Sequence, residues 1–245
     1  MNGVPNMDVF WSSVINNDTH RALTLLWEEP IPLLKHLYNV HKNNILPLGT
    51  NFFKCPSVNE EIKNTYVILS PIDYTIKWDG DEITTPDYNK MVFKHLVTPH
   101  YYEDGKCSNV VSVGLHTLWF SDQKCVITVT PPYMSNTEFS KNMTMISGQL
   151  DINSWLRPLD VLFFLENDKP VFIKKGEPLL YVKFHTDKKI KLKRFNYSTE
   201  VDKIVNYCVG VRYYSSVSPL SKIYDIFNRS LIRKKFSNIV KNEII

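Results

Sequence analysis

The chain has 245 residues, 43% of them hydrophobic and 13% aromatic, with 29 lysines and arginines against 25 aspartates and glutamates for a net charge of +4. That length is enough to bury a sizeable core in one large domain, and so small a charge excess falls well short of the concentrated basic surface of a dedicated nucleic-acid-binding domain. Four cysteines, Cys55, Cys107, Cys125 and Cys208, form no CxxC pair and read as free thiols rather than a zinc site or disulfide framework, and no apolar stretch approaches the roughly 20 residues that span a bilayer.

Residues 1–60 carry little periodic signal and are expected to form an arm covering a face or edge of the core. Within them, Asn17-Asp18 caps a short helix through Arg21, Ala22, Leu23, Leu25 and Leu26, which Pro30 and Pro32 stop. Strand patterns begin at 64–69 and 74–78, and Asp79-Gly80-Asp81 then gives a hairpin signal. Residues 84–105 are polar and rich in Tyr, His and Pro. They read as an excursion from the core, the kind of segment that often carries function. Strands resume at 110–113, 115–120 and 125–130. They continue at 159–165 and 179–184 within a central stretch, 143–186, whose corners are Gly148, 167–169 and Lys175-Gly176. Residues 188–194 alternate Lys with Ile and Leu, as an edge strand protected by charge does. After Pro219, the residues Leu220, Ile223, Tyr224, Phe227 and Leu231 fall at helical intervals. Ile232, Phe236, Ile239 and Val240 lie on a second, rotated face that is expected to pack against a partner chain. The expectation is a mainly β fold: a β-sandwich or jelly roll at 61–196, with helical N- and C-terminal arms at 1–60 and 197–245.

Lys63-Asn64-Thr65, Ser70-Pro71, Lys77-Trp78-Asp79-Gly80, Trp119-Phe120, Pro131-Pro132, Gly148-Gln149-Leu150-Asp151 with Trp155, and Lys175-Gly176-Glu177-Pro178 follow one another in this order. That pattern, over roughly residues 60–186, resembles an uncharacterised family of bacterial and phage β-rich proteins. The resemblance implies a compact β domain and brings no activity with it. A superficial likeness to trimeric dUTP pyrophosphatases at Gly148-x-x-Asp151 fails on two counts. Ser154 stands where those enzymes place an aromatic residue, and no glycine follows Gly210 to build a phosphate-covering tail. The scarcity of alanine, which occurs once at Ala22 amid abundant Asn, Lys and Ile, fits an AT-rich genome such as that of many phages.

For chemistry, no GxSxG, Walker or Rossmann motif is present. The metal ligands to weigh are His95, His100, His116 and His185 with Asp151 or Asp187. His185-Thr186-Asp187 has the spacing that sets two ligands on one side of a strand, so His116, His185 and Asp187 form the candidate set for a cupin-like oxygenase holding Fe or another divalent metal. No second histidine follows His185, however, and the close HxH pair of cupins is missing. A ligand-binding surface is expected from His100, Tyr101 and Tyr102, with Tyr133 from a neighbouring loop, since tyrosine supplies contact area at low entropic cost. Asp151, Trp155 and Arg157 read as structural: a Trp packed at a sheet corner, and an Arg pairing with Asp151 or Asp160.

With no catalytic constellation, the leading expectation is a non-enzymatic phage accessory protein that binds no cofactor. It would act by recognition or assembly in the host cytoplasm or virion. Its partner would be another protein or a second copy through the C-terminal tail, without nucleic acid or membrane. The alternative is the metal-dependent oxygenase on the same scaffold.

Overall fold

The computed structural model describes residues 5–14, 28–43, 55–154, 156–166, 169–214 and 219–245; the helix expected at 21–26 and Trp155 lie outside them. Among the described residues there are fourteen strands: β1 (Asn6–Ser13), β2 (Ile31–Pro32), β3 (Thr65–Leu69), β4 (Tyr74–Trp78), β5 (Ile83–Thr84), β6 (Val97–Tyr101), β7 (Cys107–Phe120), β8 (Val126–Thr130), β9 (Met143–Met145), β10 (Gly148–Asp151), β11 (Leu159–Leu165), β12 (Val171–Ile173), β13 (Pro178–His185) and β14 (Lys189–Arg194). The described helices are α1 (Leu33–Asn43), α2 (Pro56–Ile62), α3 (Lys90–Leu96), α4 (Glu138–Asn142), α5 (Thr199–Tyr214), α6 (Leu220–Arg229) and α7 (Leu231–Asn242). The chain is therefore mainly β, and among the described residues none of its sheets is closed. Among the described residues, no helix is long and apolar enough to cross a membrane.

A six-stranded sheet runs β14-β1-β7-β11-β9, with β6 also on β7. In β7, Val111, Val113, Leu115 and Trp119 turn to the core at the period of two that a half-buried strand requires. The strand is long enough to hold two neighbours on one edge. β6 pairs with its first half, Val97 opposite Val113, and β1 with its second, Ser13 opposite Thr117. β11 lines the other edge, and the register slips between Leu159 and Asp160, so that Leu115 and His116 bulge. His116 there has φ 47, and its carbonyl accepts the Val14 amide at 2.6 Å. A five-stranded sheet runs β10-β8-β13-β3-β2, and a small one β12-β4-β5. One cluster of buried side chains draws on all three sheets, with Trp11 and Trp119, Val182 and Phe184, and Tyr74 and Ile76 among its members. Ring centroids of Trp119 and Phe184 lie 5.7 Å apart.

Two expectations are corrected. Residues 6–13 are not part of a covering arm: Met7, Val9 and Trp11 alternate inward, and β1 is an interior strand, parallel to β14 and antiparallel to β7. Residues 84–105 are not an excursion, because they contain α3 and β6. The hairpin signal at Asp79-Gly80 does join two strands. Asp79 Oδ1 accepts the Asp81 and Glu82 amides at 3.0 and 2.9 Å, and Gly80 takes φ 100 between β4 and β5. As expected, β14 is an edge strand and Cys107 and Cys125 are buried thiols.

The C-terminal helices lie on the outer face of the six-stranded sheet. Val201 and Val205 of α5, Phe227 of α6, and Phe236 and Val240 of α7 are buried with Phe10, Leu118, Phe120 and Phe195. The face expected to need a partner chain is thus covered within the protomer: Phe236 and Val240 are fully buried, and Phe236 meets Phe120 edge-on at 5.0 Å. Polar contacts fix α7 to the turn after β7. Ser237 Oγ donates to Asp122 Oδ1 at 2.5 Å, Lys241 pairs with Asp122 Oδ2 at 2.5 Å, and Arg233 reaches the Asp122 carbonyl at 3.2 Å.

Asn64 ties the two large sheets together. It sits at φ 52, a left-handed conformation that Asn tolerates, and its side-chain amide donates to the Thr186 and Lys188 carbonyls at 2.8 and 2.9 Å. Asn64→Ala is expected to cost about 2–4 kcal/mol from two lost hydrogen bonds and the strained backbone, and Asn64→Gly to recover about 1 kcal/mol of that. Urea midpoints of the two variants would check this; equal losses would remove the backbone contribution.

Desolvation alone would raise the Asp122 carboxyl, but hydrogen bonds from Lys241 and Ser237 and the charges of Lys241 and Arg233 outweigh it and hold the group below its ordinary value. The stability this supplies is present above the unfolded value of about 3.9 and is lost as pH falls through the lower folded value. Asp122→Asn is expected to flatten this acid limb and to cost about 1–2 kcal/mol at neutral pH, the low side of charged hydrogen bonds because Lys241 is half exposed. Urea melts across the acid range would read both effects.

Candidate functional site

The outer face of the five-stranded sheet is built by alternation. In β13, Leu180, Val182 and Phe184 point to the core while Tyr181, Lys183 and His185 point away; in β8, Ile127 and Val129 point in while Val126, Thr128 and Thr130 point out. Register places Gln149, Thr128 and Lys183 in one row across β10, β8 and β13, and Asp151, Val126 and His185 in the next. Leu33, Leu37 and Ile62 from α1 and α2 cover Val67 and Tyr181. This leaves the polar rows beside the last turn of α2.

Glu61, at the end of α2, reaches over the rows. Lys183 Nζ donates to its Oε2 at 2.6 Å and the Tyr133 hydroxyl to its Oε1 at 3.0 Å. The Tyr133 ring stands edge-on to Tyr181 at 5.1 Å, and its backbone amide donates a hydrogen bond to the Pro131 carbonyl at 2.8 Å. Next to this group, Thr128 Oγ1 and His185 Nε2 lie 2.5 Å apart, and Gln149 Nε2 donates to the same Thr128 oxygen at 3.2 Å. The Thr128 hydroxyl thus joins Gln149 to the imidazole of His185, with the direction of the Thr128–His185 hydrogen bond set by the ring's tautomer.

The Lys183 hydrogen bond is the main reason that Glu61 lies below its ordinary value; desolvation opposes it, and Tyr133 and the charges of Lys183 and His185 add to it. Burial, together with the hydrogen bond and charge of Glu61, raises the Tyr133 phenol. The face thus offers a phenol held neutral, a fixed carboxylate, an ammonium and an imidazole on a rigid sheet. These groups can exchange hydrogen bonds with the polar groups of another molecule.

The expected ligand surface divides in two. Tyr133 belongs to this network, whereas His100, Tyr101 and Tyr102 lie on and beside β6 of the other large sheet. There His100 Nε2 and Ser112 Oγ are 2.7 Å apart, and Ser108 Oγ donates to the His100 carbonyl at 2.8 Å. Tyr101 and Tyr102 are 63% and 59% exposed, more open than Tyr133 at 46%. The Asp151 carboxylate accepts the Asn153 amide at 3.0 Å in the turn after β10. Asp160 meets solvent, yet surrounding atoms desolvate its carboxyl enough to raise it, against the charges of His116 and Arg157.

His116 and His185 point outward from different sheets, with the common core between them. β13 ends at His185, so Asp187 falls in the following turn rather than beside His185 on a strand. Among the described residues, no group of three or more His, Cys, Asp or Glu could hold a metal ion. Sequence reasoning missed Glu61, Thr128, Gln149 and Lys183. The alternation Lys183-Phe184-His185 was the one available signal.

In Glu61→Gln the phenol of Tyr133 is expected to titrate closer to the ordinary value of about 10, because the carboxylate charge that opposes its ionisation is gone. Ultraviolet phenolate absorbance, with Tyr133→Phe to identify the transition, measures this; an unmoved midpoint would leave burial as its only cause.

No protein-family model matches this chain, and no curated protein is similar enough to match it.

Proposed function

We propose that the chain is a recognition protein on a β-sandwich scaffold, acting by binding rather than by catalysis. The reading of two large sheets as the layers of a sandwich is supported by their shared core and by the Trp119–Phe184 contact. The observation that carries the functional reading is the hydrogen-bonded set Tyr133–Glu61–Lys183 beside Gln149–Thr128–His185, drawn from α2, β8, β10, β13 and the turn after β8. A rigid sheet presenting fixed donors and acceptors with an exposed tyrosine has the make-up of a protein-recognition surface. The partner is another protein, and an alanine-poor, lysine- and asparagine-rich composition fits a phage-encoded accessory chain acting in the host cytoplasm or virion.

A photoreactive phenylalanine analogue at position 133 is expected to crosslink a discrete partner in native lysate. The same analogue at Phe172, exposed on the small sheet, is not, and Lys183→Met combined with His185→Ala should abolish the product. Equal labelling from both positions would remove this face as the binding surface. Near-stoichiometric Fe, Mn or Zn in untagged protein, lost in His185→Ala, would replace the reading with a metal enzyme.

A further inference from the structure

The edges of the two large sheets are closed to further pairing by different means. β6 carries Pro99, β2 is two residues long and contains Pro32, and β9 and β10 are three and four residues long. β14 has neither proline nor brevity, only lysines. Lys189 N donates to the Pro5 carbonyl at 3.0 Å and Phe195 N to the Trp11 carbonyl at 3.1 Å, so the odd-numbered residues face β1. The amides and carbonyls of Ile190, Leu192 and Arg194 therefore face away from it. The outermost of these is already in use: Ile245 N donates to the Arg194 carbonyl at 3.0 Å, beside an antiparallel bridge between Phe195 and Ile244. This edge accepts an antiparallel strand, and the pairing stops before Leu192.

Alongside the unused length run two adjoining clefts, about 490 and 280 Å³, that share Pro32 and Tyr66. Ile190 lines the larger and Leu192 the smaller. Lys189 and Lys191 are exposed and alternate with Ile190 and Leu192 along the strand, Lys189 also standing at the rim of the larger cleft, while Lys193 is paired with Asp8 at 2.6 Å. Around the clefts Glu60 is paired with Lys63 at 3.5 Å, and Glu29 and Lys35 both line the smaller one.

Among the described residues, none pairs with β14 along Ile190 and Leu192 on the side away from β1. We infer that this edge of β14 docks an extended segment of a partner protein in which acidic and apolar residues alternate. Added antiparallel to β14, such a segment sets its acidic side chains within cross-strand reach of Lys189 and Lys191 and its apolar ones beside Ile190 and Leu192, in the clefts. A second copy of this strand is disfavoured by the same geometry, since its lysines would face lysines. This site is separate from the polar face of the five-stranded sheet and stands or falls without it.

The full chain would be titrated with two blocked ten-residue peptides, one alternating Glu with Val and one alternating Lys with Val, and amide exchange followed at Ile190 and Leu192. The Glu-Val peptide is expected to protect both amides and to bind at least about tenfold more tightly than the Lys-Val peptide. Lys189→Glu with Lys191→Glu should invert that preference, and Leu192→Pro, which removes an outward donor, should weaken Glu-Val binding by about tenfold. Equal affinities for the two peptides, or binding without protection in β14, would overturn the inference. So would a dimer seen by light scattering without peptide that protects the same amides, which would name a second copy as the occupant.

Discussion

The edge that β7 shares between two partners is the constraint on which the six-stranded sheet depends. β6 occupies that edge up to Val113 and β1 takes it from Thr117, and the Leu115-His116 bulge lies in the gap between them. A bulge bends a strand and increases its twist. Here it separates a first half of β7 whose outer face carries Ser112 and Gly114 from a second half whose outer face, Leu118 and Phe120, lies beneath the helices. The left-handed backbone at His116 is held by the Val14 amide on its carbonyl. Non-glycine strain of this kind persists only where surrounding structure imposes it.

Helices decide which sheet surfaces remain available. α5, α6 and α7 cover one half of the six-stranded sheet with a second apolar cluster, and α1 and α2 cover one end of the five-stranded sheet with a third. Full burial of an aromatic such as Phe236 contributes about 2–3 kcal/mol, which outweighs the partly exposed Lys241–Asp122 pair near the end of α7. Beyond that cover, the outward Thr128 and His185 of β8 and β13 are satisfied sideways, strand to strand and with Gln149 of β10, while Lys183 is met by Glu61 from α2.

Much of the β character was legible because local chemistry announces it. Asp79-Gly80 can make its turn through one carboxylate and one glycine, and the lysines of 189–193 mark an edge by charge alone. β1 was equally alternating, with Met7, Val9 and Trp11 on one side, but Phe10 on the other side blurred the period: that ring is buried too, beneath helices that begin near residue 199. The excursion at 84–105 misled because Pro99 and His100 are ordinary on an edge strand and unusual within a sheet. For the candidate site the obstacle was distance. Glu61 and Lys183 are 122 residues apart, and no periodicity within either strand or helix records that they meet. The second apolar face of the C-terminal helices was read correctly as needing cover, yet a face says nothing of whether its cover comes from the same chain.

The position of β1 between β7 and β14 has a consequence for how the molecule comes into being. Asp8 and Lys193, which meet across the β1–β14 pair, are 185 residues apart, and a parallel ladder of that separation closes a large loop before it gains any contact. During synthesis the first strand emerges long before either neighbour, carrying Trp11, Phe10 and Val9 with unpaired backbone on both sides. Until β7 and β14 follow, β1 is exposed to mispairing with other chains.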